Sequence, residues 1–293
     1  MAMKRILIII GALIFINGCT NDIRESHIPQ EEINFVVEYP HTRATNNAFD
    51  IGDVIGVYIT QYENDMPAPL QVSGNYANNI SSTFDGNKWV NSPAVYWSEG
   101  KFDVYGYYPY TKPTSVDEYP FSVALDQADE ATENSMSGYE ASDFLWAKAN
   151  SITQTEVIPL RFDHKMSKLI IRLIKGEDFS GAIPSDMVVQ VHNTVTDAFI
   201  DLSSGTVTKN GYSRAQSITA KKLSDSEFTA IIVPQRIDSK IPLIEIISKN
   251  VSYLIESKFI FRSGTVHTID ITLDNNPDKV RIEIGGEIVD DWE

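Results

Sequence analysis

From Ile33 onward the chain is a succession of short β-branched and aromatic runs, broken at intervals of about 8–12 residues by turn signals. That texture leaves little room for anything but an all-β fold. Ile33, Phe35 and Val37 alternate with Asn34, Val36 and Glu38, and Pro40 ends the run, which predicts a half-buried strand. Residues 53–60 (DVIGVYIT) predict a second strand, introduced by Gly52-Asp53. Trp89 and Val90 follow the turn Asp85-Gly86-Asn87. Residues 94–97 and 101–108 flank Ser98-Glu99-Gly100, which reads as a hairpin loop. In the second of these runs Phe102, Val104, Gly106 and Tyr108 share one face, and Asp103, Tyr105 and Tyr107 share the other. Another strand starts within residues 143–148 (DFLWAK). Further runs follow at 169–174, 188–192, 228–233, 241–247, 253–261, 265–273 and 280–284. Ser204-Gly205-Thr206-Val207 and Ser263-Gly264-Thr265-Val266 both stand where a strand should begin, so each glycine should serve a turn. Many short strands with regular turns point to β-sandwiches.

The length of 293 residues suits about two such domains. A hydrophobic content of 42% supports packed cores and excludes a disordered chain. The formal charge is −16, and phosphate recognition needs clustered basic residues, so nucleic acid is excluded as a partner. The charge is uneven. Residues 19–150 carry a net −14 and residues 151–293 a net −4, and 11 of the 13 tyrosines fall in the first segment. This asymmetry places a domain boundary near residues 150–157. The expected division is 1–18 leader, 19–31 polar tether, 32–155 first sandwich and 156–293 second sandwich.

Lys4 and Arg5 precede an apolar run over residues 6–16, too short for the ~20 residues that span a bilayer as a helix. It reads as a signal-peptide core. The run ends at Asn17-Gly18-Cys19, and Cys19 is the only cysteine. No intramolecular disulfide or Cys-based zinc site can form. A small residue before a lone cysteine after an apolar core resembles the lipobox of bacterial lipoproteins. That resemblance implies acylation of Cys19, and multiple acyl chains hold a protein at a membrane without a spanning helix.

No catalytic pattern stands out. The five histidines have no HExxH spacing, and nucleophile-elbow, Walker and dinucleotide-turn motifs are missing from the sequence. His164 and His192 lie in or beside predicted strands and read as satisfied structural histidines. Residues 126–143 carry six carboxylates and no base; they read as a long solvated loop, with calcium binding as the competing reading. The run Tyr105-Gly106-Tyr107-Tyr108-Pro109-Tyr110 reads as sandwich core plus a turn, or as a ridge that stacks sugars. The expectation is a non-enzymatic chain with no cofactor and no metal.

Several segments together resemble the fimbrillin family of Bacteroidetes, the subunits of type V pili. They are Thr42-Arg43-Ala44-Thr45, Phe49, Gly52-Asp53, residues 55–58 (IGVY), Tyr96-Trp97, residues 102–110 (FDVYGYYPY), 143–148 (DFLWAK), 160–169 (LRFDHKMSKL), 263–266 (SGTV) and 288–292 (IVDDW). Their order spans about 250 residues of the chain. The resemblance implies two consecutive transthyretin-like β-sandwich domains, export as an outer-membrane lipoprotein and display in a cell-surface fimbrium. It implies partners of the same kind, other fimbrial subunits joined by strand addition, and a host or bacterial surface ligand. Arg43-Ala44 matches the bond that an arginine-specific protease cuts in the family's polymerising members; the competing reading is that Thr42 to Thr45 forms a strand edge or turn that is never cut. At the carboxyl end, Ile284, Ile288, Val289 and Trp292 are either a mobile donor strand hinged at Gly285-Gly286 or the fixed last strand of the second domain. The alternative reading of the whole is a surface carbohydrate-binding lipoprotein.

Overall fold

The computed structural model describes residues 31–39, 49–132, 135–155, 157–249, 251–276, 281–283 and 290–291. The chain passes through β1 (Phe35–Glu38), β2 (Val54–Glu63), β3 (Met66–Pro67), β4 (Ala77–Phe84), β5 (Trp89–Ser92), β6 (Phe102–Tyr108) and β7 (Tyr119–Ser122). A one-turn helix, α1 (Gly138–Ala141), precedes β8 (Leu145–Ile152), β9 (Ile158–Arg161), β10 (Asp163–His164) and β11 (Ser167–Lys175). Then come β12 (Val188–Val195), β13 (Asp197–Asp201), β14 (Thr206–Lys209), β15 (Ala215–Thr219), β16 (Lys221–Ser224) and β17 (Glu227–Ile232). The last are β18 (Gln235–Ser248), β19 (Val251–Phe261), β20 (Thr265–Leu273), β21 (Arg281–Glu283) and β22 (Asp290–Asp291). The protein is nearly all-β, as its strand patterning predicts, with several sheets in the manner of β-sandwiches.

The seven-stranded sheet runs β10-β8-β6-β2-β4-β5, with β3 hairpinned onto β2. Its central strands are buried on both faces, which explains their near-continuous apolar reading. Ile55, Val57, Ile59, Phe102 and Val104 enter one hydrophobic cluster, completed by Trp89, Trp97, Leu145, Ile158, Leu160 and Phe162. Tyr58, Tyr105 and Tyr107 point the other way, into a larger cluster with Phe121, Phe144 and the aliphatic faces of β11, β12, β17, β18 and β20. The strand period of two separates the two sets. Two glycines make room for rings on these faces. A Cβ on Gly56 would overlap the Tyr107 ring, and one on Gly106 would stand 2.9 Å from Phe162.

The second half supplies a six-stranded sheet, β16-β17-β11-β20-β21 with β22 also on β20, and a four-stranded sheet, β15-β12-β18-β19. The turn glycines of the repeated tetrapeptide act as expected: Gly205 and Gly264 have φ of 70° and 64°, immediately before β14 and β20. Among the described residues, three strand pairs and the Asp126–Thr219 bridge cross the 150–157 stretch. β1 pairs with β9, β8 with β10, and β7 with β13.

One local expectation is corrected. Residues 94–97 do not form a hairpin with β6, whose two edges are taken by β2 and β8. They pair instead with the segment just before β1: Ile33 N donates to Val95 O at 2.8 Å and Trp97 N to Glu31 O at 2.8 Å. Gly100 does turn the chain, with φ 121°, but a turn signal does not choose the partner. The acidic stretch 126–143 is also more structured than a solvated loop. Gln127 is fully buried and clamps the Ile231 backbone, with Nε2 donating to Ile231 O and Oε1 accepting from Ile231 N, both at 2.7 Å. Ser137 and Glu140 form a capping box on α1.

Candidate functional site

The first strand is the part of the fold whose attachment is most specialised. β1 belongs to a two-stranded parallel sheet with β9, in the register Phe35–Ile158 to Glu38–Arg161. Ile158 N donates to Asn34 O at 2.8 Å and Phe162 N to Glu38 O at 3.1 Å. The sequence alternation decides which side faces inward. Ile33 and Phe35 are buried in the first cluster, and Val37 and Tyr39 pack against it. Phe49 gathers the rings of this seat: it meets Tyr39 edge-on at 4.9 Å between ring centroids, and Trp89, Tyr108 and Phe162 edge-on as well. Outward, Val36 is 49% exposed and Glu38 pairs with Arg161 at 2.9 Å, an exposed pair of little energetic weight. A cleft of about 360 Å³ lies beside the strand, lined in part by Val36, Phe84, Trp89 and Val157.

At the far end of β1 the electrostatics are set by burial beside acids. The Tyr39 hydroxyl is pushed well above its usual range by burial first and then by Asp143. Burial likewise raises the carboxyl of Asp53, which accepts the Tyr108 hydroxyl at 3.1 Å. His164 is buried with its Nδ1 2.8 Å from Asp143, as expected for a structural histidine.

At the carboxyl end, β21 and β22 both run antiparallel to β20: Arg281–Glu283 face Thr272–Asp270, and Asp290–Asp291 face Val266–Thr265. The residues singled out in the sequence, Cys19, Arg43, Ala44, Ile284, Ile288, Val289 and Trp292, lie outside the described residues. Their nearest described elements bracket them. β1 ends at Glu38, five positions before Arg43, and β21 and β22 flank the segment that holds Ile284, Ile288 and Val289.

The tyrosine run is not a ridge. Tyr105 and Tyr107 are buried, and Tyr108 is half-buried against Phe49. The Tyr107 hydroxyl lies 2.7 Å from Asn79 Oδ1 and 2.9 Å from Thr111 O. Burial pushes the Tyr58 hydroxyl up to about 12. These tyrosines are core residues, and the buried hydroxyl of Tyr107 finds its partners as such groups must.

A polar ladder that sequence reading missed crosses the four-stranded sheet. Ser217 Oγ lies 2.6 Å from His192 Nδ1, and His192 Nε2 lies 2.9 Å from Glu245 Oε2. Ser252 Oγ donates to Glu245 Oε1 at 2.5 Å. These four residues come from β15, β12, β18 and β19, so only the strand order brings them together. The Glu245 carboxyl is held below its usual range, by the Ser252 bond first and also by His192. Among the described residues, no group of three His, Cys, Asp or Glu side chains is placed to hold a metal, and no helix is long and apolar enough to cross a membrane.

Among solved structures, the chain is similar to a protein from Bacteroides ovatus named for a role in cell adhesion: TM-score 0.69, 20% identity, covering 90% of this chain and 98% of that one. A second such protein, from Bacteroides uniformis, gives TM-score 0.65 and 18% identity over 89% and 99%. A fimbrial protein from Bacteroides vulgatus gives TM-score 0.51 and 14% identity over 90% and 100%. At these identities the likeness is one of fold. No curated protein matches the chain. The model of the fimbrillin-like family matches residues 42–292, nearly the whole of the β region described above, and the chain belongs to that family.

Proposed function

We propose that this chain is a structural or adhesive subunit of cell-surface fimbriae, whose precursor is held at the outer membrane through an acylated Cys19 until it is cut. The observation that carries the proposal is the seating of β1. Alternate side chains of one short segment, Ile33, Phe35, Val37 and Tyr39, fill a cluster otherwise built from other elements. A strand held in this way can be exchanged for a similar strand of a neighbouring subunit, because the groove needs only main-chain partners and apolar side chains at every second position. Cleavage at Arg43-Ala44 would free the segment that contains β1. The terminal segment with Ile284, Ile288, Val289 and Trp292 is the donor or the fixed last strand, and the pairing of β21 and β22 with β20 favours the fixed strand within a monomer. Two sandwich domains, 32–155 and 156–293, accommodate both ends, with β9 and β10 reaching back to the first half.

The test compares Arg43→Ala with wild type in cells. Wild type should show a mature amino terminus at Ala44 and a polymer ladder; the variant should keep residues 19–43 and stay monomeric. An unchanged amino terminus and unchanged assembly would sink the processing step. Deleting residues 286–293 separates the two terminal readings: loss of polymer with a folded monomer supports a donor, and global unfolding supports a fixed strand.

A further inference from the structure

Strand β19 closes the four-stranded sheet. One of its edges is paired with β18 along Val251–Phe261, and among the described residues no strand pairs with the other. Eleven residues make a long free edge, and its outward N–H and C=O groups are a template for another strand. The side chains alternate cleanly. Tyr253, Ile255, Phe259 and Phe261 are buried, while Leu254, Glu256, Lys258 and Ile260 are exposed.

The exposed row is a chemical palindrome about Ser257. Place a second copy antiparallel with Ser257 opposite Ser257. Glu256 then faces Lys258, Leu254 faces Ile260, and on the inner face Ile255 faces Phe259. A two-fold axis makes each of these pairs twice. Directly opposed residues of antiparallel strands share a face and interact, with opposite charges favourable and like charges unfavourable. Other registers lose this match. Centring on Glu256 or on Lys258 sets like charges against each other, and a one-residue slip puts exposed side chains opposite buried ones.

We infer that β19 is a self-complementary edge through which two copies of this chain join side by side, merging two four-stranded sheets into one. This uses neither β1 nor the terminal segment, so it is independent of strand exchange between subunits. Charges on an edge strand also serve to keep partners away, and the experiment separates the two roles.

The full-length chain is purified and its self-association measured for wild type, Glu256→Lys, Lys258→Glu and the double swap. Both substituted positions are exposed, so folding should be unaffected, which circular dichroism checks. Each single change turns two attractive pairs into two repulsive ones, and association should weaken at least about tenfold. The double swap should restore it. In a mixture of ordinary and heavy-nitrogen-labelled wild type, carbodiimide should couple Glu256 of one copy to Lys258 of the other. A monomeric wild type, single variants that associate as wild type does, or no mixed-isotope link between these residues would each overturn the inference.

Discussion

The two faces of the seven-stranded sheet are built from the same strands yet differ in chemistry and in what covers them. One carries Ile55, Val57, Ile59, Phe102 and Val104 and is closed in part by β1 and β9. The other carries Tyr58, Tyr105 and Tyr107 and is covered by elements of the larger cluster. The first face is mostly apolar and asks chiefly for shape, with few polar ties such as Asn91 Nδ2 donating to Ile33 O at 2.8 Å, so a single exchangeable strand can help to close it. The tyrosine face needs hydroxyl partners at fixed places, such as Asn79 and Thr111 for Tyr107. A face that must satisfy polar groups tolerates replacement of its cover poorly.

The largest effect should come from the cover of the first face. Phe35→Ala should cost about 3–5 kcal/mol in denaturant unfolding. Its hydrogen-exchange signature should be local, with faster exchange at Ile158 and Phe162 and little change along β11 and β20. A uniform increase would break the distinction between the faces. Next come the two glycines. Gly56→Ala and Gly106→Ala press on Tyr107 and Phe162 and should each cost about 1–3 kcal/mol. Equal ease of accommodation on both faces would weaken the argument that the tyrosine face is the stricter one. Tyr107→Phe, which removes only a hydroxyl, should lose about 1 kcal/mol; no loss would mean that its two contacts contribute nothing net.

The smallest effect concerns acid. The Asp197 carboxyl accepts hydrogen bonds from Ser213 and Ser122, which hold it below its usual range, and the Ser122 bond of 2.7 Å ties β13 to β7. A lowered carboxyl contributes stability that is present above its unfolded value and lost as pH falls through its folded one. Asp197→Asn should therefore flatten the acid limb of the stability profile slightly. An acid limb identical to that of wild type would remove Asp197 from the account.

Much of the sheet framework was legible because alternation is local. Residues 53–60 and 101–108 declared their strands and faces, and the long runs beyond residue 165 did the same. β4, β7, β13, β15 and β16 were not declared, since strands such as ANNISSTF and YPFS take their identity from distant partners, and β14 was announced only by its turn at Gly205. The false hairpin at 94–97 has the same cause. The seat of β1 was half legible: Ile33, Phe35 and Val37 announced an inward face, but nothing local announced Ile158 as the partner. The Ser217–His192–Glu245 ladder was illegible for the same reason, being a product of strand order alone.

The pairing of β1 with β9 also has a consequence in time. Glu38 and its partner Arg161 are 123 residues apart in the chain. Closing so long a loop costs more entropy than closing a hairpin, and contacts of high sequence separation slow folding. During synthesis or export, β1 must wait until Ile158–Arg161 has followed it before it can be seated. The strand that leads the fold is therefore among the last to be fixed in place.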